Sequence, residues 1–118
     1  MYSLKIEGTF SSAHNLRGYK GKCEELHGHN WRVEMVVSQE GLDKTGMVED
    51  FTYLKKILKS QLEKLDHKYL NKLPYFQKVN PTSENIARYI FDALKLKLLN
   101  IKSVTVWENN NSCATYEE

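Results

Sequence analysis

Two long stretches of alternating polarity constrain this chain more than any other feature. From Tyr2 to His14, Tyr2, Leu4, Ile6 and Phe10 share one parity, and Ser3, Lys5, Glu7 and Thr9 share the other. From His27 to Gln39, Trp31, Val33, Met35 and Val37 take one side while Arg32 and Glu34 take the other. Successive side chains leave a pleated backbone on opposite faces, so period two marks a half-buried strand. The segment between them, NLRGYKGKCEEL, is polar and carries glycines, which reads as a loop. Two strands joined by roughly a dozen residues predict an antiparallel pair with a functional connection.

Beyond the turn-rich GLDKTGM the period changes. Asp50 suits a helix N-cap, and Phe51, Leu54, Ile57, Leu58, Leu62 and Leu65 then recur at helical spacing with lysines opposite. LDHKYLNKLPYFQKVNP reads as irregular. Thr82 is a second N-cap, followed by Ile86, Ala87, Ile90, Phe91, Leu94 and Leu98 on one stripe of a helix running to about Leu99. IKSVTVWEN is β-branched and predicts a strand, NNS a tight turn, and CATYEE a last short strand. The order β-β-α-α-β-β segregates strands from helices. That predicts an α+β class, one domain over residues 1–118, and an antiparallel sheet with its helices on one face. The other face carries little free charge, so a partner subunit is expected to cover it.

Apolar residues make up 41% of the 118, enough for a core. Seventeen basic and 15 acidic residues nearly balance, which leaves no electrostatic footprint for nucleic acid or a membrane surface. No apolar run reaches the roughly 18 residues of a membrane-spanning helix. The start, MYSLKIEGTF, lacks the apolar segment of a secretory signal. Two cysteines give no disulfide framework, so a cytoplasmic chain with reduced thiols is expected.

The heptapeptide CEELHGH, residues 23–29, concentrates the chemistry. Residues i and i+2 of a strand point the same way, so His27 and His29 can aim at one point, and Gly28 between them leaves room for a bulge. His14 comes from the pairing strand. Three converging imidazoles suit Zn²⁺, although copper, nickel and iron also accept them. Cys23 has three readings: a fourth ligand closing a structural site, a thiolate acting beside an open site, or an inert buried thiol. His67 follows Asp66, a carboxylate able to orient the ring, or it is a helix-end histidine. Glu108 ends a strand and offers a carboxylate to a ligand with several N–H donors, or is an ordinary strand-end charge.

The ordered motifs FSSAHNL, CEELHGHNW, GMVEDF, LDHKYLN, NPTSENIA and VWEN span essentially the whole chain. Together they resemble the 6-pyruvoyl-tetrahydropterin synthase family. The gap between Cys23 and His27, filled by Glu24, Glu25 and Leu26, is similar to the 6-carboxy-5,6,7,8-tetrahydropterin synthase branch of queuosine biosynthesis; pyruvoyl synthases carry a longer one. The resemblance implies the tunnelling fold, assembled as a dimer of trimers with active sites at subunit interfaces. It implies one zinc ion per subunit on His14, His27 and His29, a catalytic Cys23, a proton relay of Asp66 and His67, and Glu108 anchoring the pterin ring. The implied substrate is 7,8-dihydroneopterin triphosphate, and the products are 6-carboxy-5,6,7,8-tetrahydropterin, acetaldehyde and triphosphate. Formation of the pyruvoyl product, or a pterin- and zinc-binding role without turnover, are the alternatives. Two positions depart from the family's usual pattern: Asn109 follows Glu108 in place of Thr, and Asn15 follows His14 where many relatives carry Arg.

Overall fold

The computed structural model describes residues 1–21 and 24–118. Both alternating stretches are strands with the predicted bounds, β1 (Tyr2–His14) and β2 (His27–Gln39). They pair antiparallel in unbroken register from Tyr2 opposite Gln39 to His14 opposite His27. The expected relief at Gly28 is therefore not used. The irregularity in β2 lies between Val36 and Val37, where it pairs with β4 (Ile101–Asn109). β5 (Ser112–Glu117) follows a turn and pairs antiparallel with β4.

Helix α1 (Phe51–Leu62) begins where the Asp50 carboxylate accepts the Thr52 N–H at 2.8 Å. It buries Leu54, Ile57, Leu58 and Leu62 against the sheet, whereas Phe51, at its first position, is 52% exposed. Leu65, read as a further helical turn, is buried in the turn that follows the helix.

The segment read as irregular holds three short elements. β3 (Lys68–Tyr69) runs parallel to β1, a 3₁₀ turn covers Leu70–Lys72, and α2 (Pro74–Lys78) starts on a proline. Proline suits the first helical position because its missing N–H has no partner there anyway. Helix α3 (Ser83–Lys95) is capped by the Thr82 hydroxyl, which accepts the Asn85 N–H at 3.1 Å. It stops short of Leu99, which is exposed, while Leu98 remains buried beyond its end.

The sheet order is β3-β1-β2-β4-β5. Helices α1 and α3 lie on the face carrying Ile6, Phe10, Trp31, Val33, Met35, Val104 and Val106. Each fully buried side chain of this size contributes roughly 1.5–3 kcal/mol by leaving water. On the opposite face Glu7 and Arg32 pair at 3.2 Å, and Arg32 lies 4.3 Å over the Trp107 ring. No helix is long and apolar enough to cross a membrane among the described residues.

A ladder of asparagines ties the end of β1 to the 69–81 segment. Asn71 exchanges two hydrogen bonds with the Asn15 backbone, at 3.0 and 2.8 Å, and the Tyr69 hydroxyl donates to Asn15 Oδ1. Asn80 exchanges another two with the Arg17 backbone, at 3.0 and 2.8 Å. Side-chain amides match a backbone donor and acceptor together, so these loops are held without a regular ladder. Asn15, which departs from the family's pattern, is thus a structural partner of β3.

Candidate metal centre

Parity and register bring four side chains to one end of the helix-covered face. His14 continues the parity of Phe10, and His27 and His29 that of Trp31. The pairing of Val33 with Val106 puts Glu108 of β4 on the same face. One ligand atom from each of His14, His27, His29 and Glu108 falls within a group whose members all lie within 4.8 Å of one another.

The backbone sets the tautomers. His14 Nδ1 lies 2.7 Å from the Pro81 carbonyl, and His27 Nδ1 lies 2.7 Å from the Glu25 carbonyl. A carbonyl only accepts, so both rings carry their proton on Nδ1 and direct the Nε2 lone pair inward. Those two Nε2 atoms face each other at 2.9 Å. Two lone pairs at that distance repel unless a cation stands with them. Glu108 Oε1 lies 3.0 Å from His29 Nε2 and 3.3 Å from His14 Nε2. His29 Nε2 is buried, and that carboxylate lies outside the angular range of a hydrogen bond. A tetrahedral metal with bonds of about 2.0–2.1 Å holds neighbouring ligand atoms about 3.3 Å apart. The spacing and donor chemistry of this group fit a bound divalent cation.

Burial lowers the pKa of His14, and the positive charge that His27 would add lowers it further; the Pro81 carbonyl and Glu108 only partly oppose this. His29 is lowered by burial as well, against the opposing pull of Glu108. Both rings are therefore neutral at neutral pH, the form that binds metal. Trp31 supports them from below. Its indole N–H donates to the Ser12 carbonyl at 3.1 Å, and its ring meets His14 and His29 edge-on at 4.9 and 5.0 Å. By sequence Trp31 reads only as one of the alternating residues on one side of β2, without a link to the site. Its spacing from His29, two residues along the same strand, is the signal that points to it.

Asp66 and His67 stand elsewhere, on the β3 edge of the sheet. The Ser11 N–H donates to Asp66 Oδ1 at 2.8 Å, and the His67 N–H donates to the Ser11 carbonyl at 2.6 Å. His67 sits at φ 55°, a left-handed conformation that costs a non-glycine residue energy. This curl brings its Nε2 within 3.5 Å of Asp66 Oδ2, although adjacent side chains ordinarily diverge. The His67 side chain is 82% exposed, and the pair is not part of the imidazole group. Cys23 lies outside the described residues.

Residues 3–118 match the family described as 6-pyruvoyl tetrahydropterin synthase. A Haemophilus influenzae protein named 6-carboxy-5,6,7,8-tetrahydropterin synthase is 34% identical over all of both chains. An Archaeoglobus fulgidus relative that bears the same name provisionally is 43% identical, over 94% of this chain and 91% of its own. Among solved structures, Caenorhabditis elegans 6-pyruvoyl tetrahydropterin synthase superposes with a TM-score of 0.91 at 31% identity, covering 99% of this chain and 95% of that one.

Proposed function

The chain belongs to the 6-pyruvoyl tetrahydropterin synthase family, and on that premise we propose that it is a zinc-dependent lyase. It converts 7,8-dihydroneopterin triphosphate and water to 6-carboxy-5,6,7,8-tetrahydropterin, acetaldehyde and triphosphate. The observation that carries this reading is the convergence of His14, His27 and His29, with two inward Nε2 atoms 2.9 Å apart. The short gap between Cys23 and His27, and the name shared by the two curated relatives above, favour the carboxy product.

In this reading His14, His27 and His29 hold one zinc ion per subunit. When bound, zinc supplies Lewis acidity that polarises the hydroxyl oxygens of the substrate side chain. Cys23, as thiolate, removes a proton from the side-chain carbon next to the ring. Asp66 fixes His67, which returns and relays protons. Glu108 accepts two N–H bonds from the amino-pyrimidine edge, a bidentate match for a carboxylate. The ring gains two hydrogens as the side chain is oxidised, so no external redox partner is needed. Loss of triphosphate leaves a diketone, and addition of water between its carbonyls yields the carboxylate and acetaldehyde.

The exposed Asp66–His67 pair fits an active site completed between subunits. β3 pairs with Ser12 and Ala13 of β1, and Asp66 and His67 take the backbone groups of Ser11, so the edge of β1 before Ser11 is open to another copy among the described residues. A dimer of trimers is the assembly proposed, in the cytoplasm, where the Cys23 thiol stays reduced.

Incubating zinc-loaded protein with the substrate and quantifying products tests the reading. Equimolar acetaldehyde and carboxy product are expected. The pyruvoyl product without acetaldehyde would move the chain to the other branch, and pterin binding with no turnover would make it a binding protein.

A further inference from the structure

Glu108 is asked to do two things that its position does not allow at once. As pterin anchor it must face the substrate ring. In the structure its Oε1 lies instead among the imidazoles, 3.0 Å from His29 Nε2 and 3.3 Å from His14 Nε2. The inward lone pair of neutral His14 repels that carboxylate. The same carboxylate is attracted strongly if a divalent cation sits in the group, and the spacings match neighbouring corners of a tetrahedron.

We propose that Glu108 is an exchangeable fourth ligand. It closes the metal shell when no pterin is present and leaves it when the ring binds, opening one position for the substrate's hydroxyl oxygens. This deepens the reading above and rests on it for the pterin half of the exchange. The metal half stands on the distances alone. The side chain suits the task. It is 30% exposed, so it has room to swing, and it sits one residue from the end of β4. A shell closed in this way excludes water from the metal until substrate arrives. It also couples the two ligands negatively: pterin, by taking the carboxylate, weakens the hold on the metal, and by linkage metal weakens pterin equally.

The test uses zinc and 7,8-dihydropterin, which presents the amino-pyrimidine edge but has no side chain to reach a metal. Zinc affinity is measured by chelator competition for wild type, Glu108→Gln and Glu108→Ala, with circular dichroism checking the fold of each. Both variants are expected to lose at least about tenfold in zinc affinity, since even ligand-supporting residues are worth that much. In the cobalt-substituted wild type, saturating dihydropterin is expected to change the visible d–d bands as the carboxylate departs. Folded variants that bind zinc as tightly as wild type would overturn the fourth-ligand role. A cobalt spectrum unchanged while dihydropterin is bound would overturn the exchange. If dihydropterin fails to bind at all, the pterin reading fails and the exchange with it, while the zinc affinities still decide whether Glu108 is a ligand.

Discussion

The metal group is built residue by residue from carbonyl contacts: Pro81 takes the Nδ1 proton of His14 and Glu25 that of His27. His14 is 2% exposed, so His14→Ala leaves the Pro81 carbonyl unpaired in the interior. We expect it to cost about 1–3 kcal/mol in urea unfolding of the metal-free protein. His27→Ala, at a less buried position, should abolish stoichiometric zinc, read by elemental analysis, with a smaller loss of stability. The lowered pKa values of His14 and His29 set a pH dependence. The unfolded chain binds these protons more readily than the folded one, so stability rises with pH across the window. Metal-free protein should be fully stable above the ordinary imidazole value of about 6.5 and lose stability as pH falls from there through the lowered folded values. Thermal melts across that range check it; a flat profile would contradict it. Cys23→Ala should retain zinc and lose roughly a hundredfold or more in turnover, the usual scale for a proton-transfer group. The three histidines were legible because parity alone assigns them to one face. Glu108's place beside them was not, since it depends on the register between β2 and β4, which no local pattern records.

At the scale of elements, legibility followed length. β1 and β2 span 13 residues each, α1 12 and α3 13, enough repeats for period two or 3.6 to stand out. A two-residue strand and a five-residue helix show no period, so β3 and α2 read as loop. Yet the segment that holds these short pieces, through Asn71 and Asn80, pins the residues that follow His14, and the Pro81 carbonyl lies at its end. Their structure comes from side-chain amides and tertiary contact, which propensity does not capture. The cap of α3 adjoins this region. Thr82→Ala should cost about 1 kcal/mol, seen as a lower urea midpoint at unchanged slope. A change in slope would instead mean that the denatured or native state had changed in compactness, or that unfolding was no longer two-state.

The whole molecule is long for its size. Its radius of gyration is 15.2 Å and its extents are 53 × 25 × 22 Å, against about 13.5 Å expected for a compact chain of this length. The open edge of β1 and the uncovered sheet face belong to that shape. On the proposed dimer of trimers, sedimentation equilibrium should give a mass that is a multiple of three chains; a stable monomer would contradict the shared-site account. The face with little free charge predicts a partner subunit, and the dimer of trimers was expected only from the family resemblance, because one chain's pattern shows a face without showing what covers it. The central claim is that three imidazoles hold a zinc ion with Cys23 off the metal. Zinc K-edge X-ray absorption of the zinc-loaded protein tests it most directly. A shell of nitrogen and oxygen alone at about 2.0–2.1 Å is the predicted result, and a sulfur scatterer at about 2.3 Å would contradict it.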